Sequence, residues 1–192
     1  MGAATSTTAP GQRGRILAAA LELIANHGVE GMTMRQLAAA CDLNIATLYH
    51  YVGSKSDLLG AIVAQRHYDD GLRTLALPVD AALPPRERCR SFFTTLATQS
   101  LDELRVWRLL IGESLRDDAV ALAEARRLSA LLEGAVDRWL GELFPELPAD
   151  HADATTVVSG QLLAVFLEIM LLGDDPDRLD RRAAALAAVL FP

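Results

Sequence analysis

Apolar residues recur at helical spacing along nearly the whole chain, and no segment alternates with a strand period for more than a few residues. Proline, glycine and aspartate interrupt this pattern, for example at Pro84-Pro85 and over residues 173–176. The pattern predicts an all-α fold of about nine helices. Four of these predicted helices lie in the second part of the chain, over approximately residues 54–75, 118–143, 154–172 and 177–190.

Residues 33–55, TMRQLAAACDLNIATLYHYVGSK, have the pattern of two short helices joined by a tight turn. Thr33 lies three residues before Gln36, which is the spacing of a capping box. Asn44 is placed to cap the second helix. The apolar positions fit two helices that cross at a steep angle, and they are Leu37, Cys41, Leu43, Leu48 and Tyr51. Caps and apolar spacing alone leave two structures open, a helix–turn–helix and an αα-hairpin inside a helical bundle.

The outward side of the second helix favours DNA binding. If Leu48 and Tyr51 face inward, the residues left to face outward include Ile45, Ala46, Thr47, Tyr49 and His50. This set contains no acid, and its methyl, hydroxyl and imidazole groups suit contacts with thymine and with phosphate. Lys55 follows directly, next to a third predicted helix start at Ser54-x-x-Asp57. Backbone N–H groups and a cation together favour a phosphate there.

The segment IATLYHYVGSKSDLL resembles the signature of the TetR/AcrR family of transcriptional regulators, in which a Thr-Leu-Tyr core precedes an aromatic or His pair, a short Gly/Ser turn and Lys. The upstream segment RILAAALELIANHGVEGMTMRQLA resembles the first helix of that family and the entry to its second. The resemblance covers residues 12–65. It implies an N-terminal three-helix helix–turn–helix DNA-binding domain, a C-terminal helical ligand-binding and dimerisation domain, and repression that a small molecule relieves.

Carried over residue by residue, the resemblance implies a set of contacts with double-stranded operator DNA. Tyr51 has two interpretations, because the family uses this position for a phosphate contact whereas the apolar spacing makes it a core residue. Asp42 stands where the family usually has Gly. Since Asp tolerates a left-handed backbone, we expect the turn to keep its shape. The implied DNA-binding residues are Thr33, Arg35, Asn44, Ile45, Ala46, Thr47, Tyr49, His50, Tyr51 and Lys55.

The resemblance and the helical pattern together predict three parts. We expect a disordered segment over residues 1–11, a DNA-binding domain over 12–53 extended by the start of a fourth helix to about residue 60, and an effector-binding and dimerisation domain over 54–192. A single helix from Ser54 to about Leu75 would join the two domains. A ligand that shifts the far end of this helix would then move the DNA-binding domain.

Charge and cysteine content set limits on the function. The formal net charge is −7, but residues 1–60 hold four cations and four carboxylates, so the acidic surplus lies downstream. A neutral DNA-binding region implies modest non-specific affinity, with paired half-sites supplying the rest. Two cysteines, Cys41 and Cys89, are too few for a metal cage or a disulfide framework. We therefore expect a cytoplasmic protein without a metal or other cofactor.

The segment over about residues 154–172 is apolar on nearly all sides, whereas a surface helix needs only one apolar stripe. We therefore expect a second copy of the chain to cover it. Five alanines in the segment 177–190 allow close helix approach, so we predict a homodimer through these last two helices, with a fully buried monomer core as the alternative. A dimer would let two DNA-binding helices reach major-groove faces about 34–36 Å apart. Polar residues interrupt the longest apolar run, Val157 to Leu172, so no membrane span is predicted.

The resemblance places a small-molecule effector among the middle helices of the C-terminal domain. The large, adaptable side chains suited to a cavity there are Phe92, Phe93, Trp107, Phe166 and Met170. Glu168 is a further candidate, since a carboxylate inside VFLEIMLL needs water, a partner or a ligand. For the apolar residues the alternative to an effector site is core packing. For Glu168 the alternative is an ion pair with an Arg of a neighbouring helix or subunit. The apolar bias predicts a hydrophobic effector, of cationic or amphipathic character.

Two other classes of protein are alternatives to a regulator. Residues 112–116 begin like the nucleophile elbow of a hydrolase, but they end in Arg and lie in a helical pattern without a preceding strand. The sequence has neither a Gly-rich phosphate loop nor an HExxH motif, so we predict that the protein is not an enzyme. A helical adaptor without DNA binding remains the alternative to a DNA-binding regulator.

Overall fold

The computed structural model describes residues 11–66 and 68–192, apart from the side chains of Glu30, Ser56, Asp69 and Asp102. Every regular element in this part of the chain is helical, which confirms the predicted all-α class. The elements are α1 (Gln12–Gly31), α2 (Met34–Ala40), α3 (Ile45–Val52), α4 (Lys55–Gln65), α5 (Tyr68–Thr74), α6 (Pro85–Ser100), a 3₁₀ turn (Leu101–Glu103), α7 (Leu104–Ser114), α8 (Ala119–Leu143), α9 (Ala152–Leu172) and α10 (Pro176–Leu190).

The described residues form ten α-helices, one more than the approximate number predicted. The prediction of one helix from Ser54 to Leu75 was wrong, because α4 ends at Gln65 and α5 begins at Tyr68. At the end of α4 the Arg66 N–H donates to the Val63 carbonyl, three residues back, which tightens the last turn. The segment predicted to be disordered, residues 1–11, lies outside the described residues except for Gly11.

The chain divides into two compact units. The first comprises the described residues up to 66 together with residues 109–124. In it, α1 packs against α2, α3 and α4, and α3 packs against both α2 and α4. The buried side chains that hold these four helices together include Ile16, Leu17, Ala20, Met32, Leu37, Leu48, Leu58, Ile62 and Val63. The positions of α2 and α3 are therefore set by a common apolar core.

The second unit comprises the described residues from 68 to 108 together with 125–192. Here α10 packs along α6, and the small side chains of Ala183 and Ala187 are buried in the core. The predicted use of α10 alanines at a dimer interface is therefore wrong for these two, because their size serves close packing within the chain. Phe92 lies at the centre, with its ring edge-on to those of Trp139 and Phe144.

Helix α9 is buried on one side and exposed on the other. Its core side includes Val158, Leu162 and Val165, whereas large apolar residues project from the opposite side, namely Val157, Leu163, Leu167, Leu171 and Leu172. We call this second set the exposed face of α9. By length and composition α9 would also suffice to cross a membrane, which was not expected from the sequence. Core helices of soluble proteins meet the same criteria.

Candidate functional site

Helices α2 and α4 each begin with a capping box, which the sequence predicted at Thr33, whereas at Ser54 it predicted a helix start. The Gln36 N–H donates to Thr33 Oγ1 over 3.2 Å, and the Thr33 N–H donates to Gln36 Oε1 over 2.8 Å. At α4 the Asp57 N–H donates to Ser54 Oγ over 3.2 Å, and the Ser54 N–H donates to Asp57 Oδ2 over 2.8 Å. Each box satisfies backbone donors that have no partner inside the helix. Both helix starts are therefore specified by local sequence.

The turn between α2 and α3 has the left-handed backbone that was expected at Asp42, where φ is 53°. After it the Leu43 N–H donates to the Ala38 carbonyl over 2.9 Å. Asn44 then caps α3 as predicted, its Oδ1 accepting from the Thr47 N–H over 2.8 Å. These bonds fix the direction in which α3 leaves the turn.

Helix α3 buries Leu48 completely and Val52 almost completely. Tyr51 is 37% exposed, so the core interpretation of this residue was wrong and Val52 takes the core position instead. Thr47 is half-buried. The residues that project outward are Ile45, Ala46, Tyr49, His50 and Tyr51, which we call the outer face of α3. Tyr49 is 48% exposed, compared with 40% for Ile45 and 37% for Tyr51.

Cations lie on the helices before and after α3. Arg35 is exposed in the first turn of α2, and Lys55 is half-buried as the first residue of α4. Asp57 is a nearby acid, but its carboxylate accepts bonds from the hydroxyl and the N–H of Ser54, which lower its pKa. This acid is therefore engaged in the cap of α4. The outer face itself is neutral or basic, with aromatic and small apolar groups, as a surface that contacts a DNA groove requires.

About half of the sequence is similar to that of a known bacterial regulator. Over 97 residues the sequence is 32% identical to an uncharacterized HTH-type transcriptional regulator in the dhlA 5′ region of Xanthobacter autotrophicus. The match covers 50% of this chain and 48% of the relative, so the chain spans about half of that relative's length.

Solved structures share the fold over nearly the full length. A protein of Mesorhizobium loti MAFF303099 solved as a TetR-family regulator superimposes with a TM-score of 0.68 at 20% identity, covering 93% of this chain and 94% of the other. AibR in complex with isovaleryl coenzyme A and operator DNA gives a TM-score of 0.55 at 24% identity, covering 95% and 99%. At these identities the likeness establishes the fold.

Residues 16–62, which contain α2 and α3, match the family model of bacterial regulatory proteins, tetR family. Over this segment the sequence resembles the TetR family. The match to the TetR family model ends within α4. For the remaining helices, the likeness to known proteins rests on the fold shared with solved structures. The residues that the resemblance implies for DNA contact all lie within the matched range.

The residues predicted for an effector site are not all grouped together. Phe92 and Phe93 are fully buried in the core of the second unit, and Met170 is half-buried. Glu168 accepts two bonds from Arg182 of α10, from Nε over 2.8 Å and from Nη2 over 2.5 Å. This pair lowers the pKa of Glu168 and is the ion-pair alternative that the sequence had left open.

The other two predicted residues, Trp107 and Phe166, line a cavity of about 240 Å³. Their rings stack with centroids 5.6 Å apart and planes inclined by 23°. The rest of the lining was not predicted from the sequence, and it consists of Ser129, Leu132 and Glu133 on α8 and Thr156, Ser159, Gly160 and Leu163 on α9. Spacings of three and four residues place each set on one helix face. These spacings are the sequence signal that identifies small and polar lining residues, which large side chains alone do not reveal.

Proposed function

We propose that this chain is a TetR-family transcriptional regulator that contacts double-stranded operator DNA through the outer face of α3. The observation that carries the proposal is the exposure of this acid-free face on a helix whose start is fixed by a side-chain cap. Ile45 and Ala46 supply apolar groups for thymine methyls. Tyr49, His50 and Tyr51 supply donors for phosphates, with Arg35 and Lys55 at the flanks.

We further propose a homodimer formed by the exposed face of α9, with the C-terminal part of α10 beside it. Large apolar side chains that project from a helix lose contact with water when a second copy covers them. On α10 the outward Val189 is 69% exposed and extends this apolar surface. A twofold arrangement also presents two α3 helices to successive half-sites of an operator.

A small-molecule effector is proposed to bind in the cavity that Trp107 and Phe166 line, and to release the repressor from its operator in the cytoplasm. That AibR was solved with both an acyl-coenzyme A and operator DNA supports a link between the two kinds of ligand in this fold. Helices α7 and α8 both line the cavity and both contribute residues to the two units. We therefore assign the transmission of the signal to these helices, in place of the single helix predicted from Ser54 to Leu75.

The test is operator binding by Tyr49→Ala. An operator is first selected from a pool of random DNA duplexes with the wild-type protein, and binding is then measured by mobility shift. Because Tyr49 is exposed, we expect an unchanged thermal unfolding midpoint and an affinity at least about tenfold lower, a loss of about 1.4 kcal/mol or more. Tyr49→Phe separates the hydroxyl from the ring.

Leu115→Ala is the matched control, since Leu115 is 82% exposed and lies beyond the end of α7. It should bind the operator like the wild-type protein. If no duplex is enriched, the chain is instead the helical adaptor that the sequence left as an alternative. If Tyr49→Ala binds as tightly as the control, the proposed contact through the outer face of α3 is refuted.

A further inference from the structure

We propose that the cavity lined by Trp107 and Phe166 binds a small organic cation that carries a flat apolar group, with the carboxylate of Glu133 as its counter-charge. The proposal deepens the effector site described above, and its regulatory meaning rests on the proposed function. The binding itself does not require DNA.

The aromatic pair supplies the apolar surface. Trp107 and Phe166 stack nearly parallel, and Leu132 and Leu163 extend the lining. Aromatic faces attract cations through the ring quadrupole, most strongly for Trp. A volume of about 240 Å³ lies below the usual range of sites for drug-sized ligands, so the ligand is small.

Glu133 supplies the charge. It is exposed at the rim and is the single ionisable side chain in the lining, and no ion pair or hydrogen bond of its carboxylate is found among the described residues. It lies on the same face of α8 as Ser129 and Leu132, one turn away from Ser129. A carboxylate and the Trp107 ring in one lining provide both elements that recognise an alkylammonium or arylammonium ion.

The same lining is unsuited to anionic ligands. The described residues that form it include no Lys, Arg or His that would balance a phosphate or a carboxylate. The formal charge of −7 also resides downstream of residue 60, so the field around this part of the chain attracts cations. The ligand class is therefore distinct from the acyl-coenzyme A bound to AibR.

The experiment compares three probes of similar size on the full chain, with binding followed by tryptophan fluorescence. They are benzyltrimethylammonium, its neutral isostere neopentylbenzene, and the anion phenylacetate. We expect the cation to bind most tightly and Glu133→Gln to weaken its binding about tenfold while leaving that of neopentylbenzene unchanged. Glu142→Gln is the matched control, because it removes the same charge from an exposed position of α8 outside the cavity.

Three results would overturn the proposal. The first is a neutral or anionic probe that binds as tightly as the cation. The second is an equal effect of Glu133→Gln and Glu142→Gln on cation binding. The third is a cation affinity that falls as the protein concentration rises, as expected if a second copy fills the cavity. Operator binding of the wild-type protein is measured separately without a probe. A failure of cation binding and a failure of DNA binding are therefore distinguished.

Discussion

At Gly53 the backbone between α3 and α4 has a φ of 63°, in the left-handed region that favours glycine. A Cβ atom at this position would lie 2.7 Å from Oδ2 of Asp57. That oxygen accepts the bond from the Ser54 N–H in the capping box of α4. A side chain at position 53 therefore acts twice, by straining the turn and by displacing the cap.

We expect Gly53→Ala to lower the free energy of unfolding by about 1–3 kcal/mol, the combined effect of left-handed strain and a weakened cap. Gly134→Ala is the control, because Gly134 lies inside α8 and a methyl group there would meet open space. The control should be stabilised by up to about 1 kcal/mol. Urea unfolding measures both, and equal stability of Gly53→Ala and the wild-type protein would contradict the expectation.

At this scale the sequence predicted local features well. The bonds from Thr33 to Gln36 and from Asn44 to Thr47 join residues three apart, so the residue types at that spacing suffice to recognise them. The choice between Tyr51 and Val52 as a core residue was not predictable in this way. They lie three and four residues after the buried Leu48, and both spacings fall on one helix face.

Among the elements, α9 and α10 are tied by the pair of Glu168 with Arg182, whose Nη1 also donates to Gln161 Oε1 over 2.5 Å. The guanidinium lowers the pKa of Glu168 below its usual value of 4.5. A carboxylate with a lowered pKa stabilises the folded state above that usual value, and this contribution is lost as the pH falls through the lower, folded-state pKa.

The difference in urea midpoint between the wild-type protein and Glu168→Gln should therefore be largest at neutral pH and should shrink below about pH 4.5. Glu142→Gln is the control, since the Glu142 carboxylate is exposed and lies 3.8 Å from Arg138 Nε. The control should differ little from the wild-type protein across the range. If the urea midpoint of the wild-type protein still exceeds that of Glu168→Gln by the same amount at about pH 3, the ion pair is not the source of the difference.

Element boundaries were less predictable than element types. The end of α4 at Gln65 is marked by neither Pro nor Gly, because the glycine of this segment, Gly60, lies inside the helix. The cavity between α8 and α9 was also missed, since its lining depends on which faces of two separate helices meet. By contrast, the helical nature of 118–143 and 154–172 followed from periodicity alone.

For the whole molecule, the exposed face of α9 determines the proposed assembly. We expect the wild-type protein to sediment as a dimer at micromolar concentration and Leu167→Glu to sediment as a folded monomer, because a carboxylate in an apolar interface is desolvated without a partner. The monomer should bind a two-half-site operator at least about tenfold more weakly.

Leu115→Glu introduces the same charge at a residue that is 82% exposed and outside α9, so it should remain dimeric. Analytical ultracentrifugation compares the three proteins, and circular dichroism confirms that each is helical. A wild-type protein that sediments only as a monomer would refute the homodimer.

The capping bonds of α2, α3 and α4 also bear on how the chain folds. Each closes between residues three apart, so each can form in the unfolded chain on the timescale of a single helix, before any tertiary contact exists. The ends of these helices are then specified while the core around Leu48 is still open. A hairpin of α2 and α3 built in this way has low contact order, and we expect its folding rate to depend little on whether an effector or a second subunit is present.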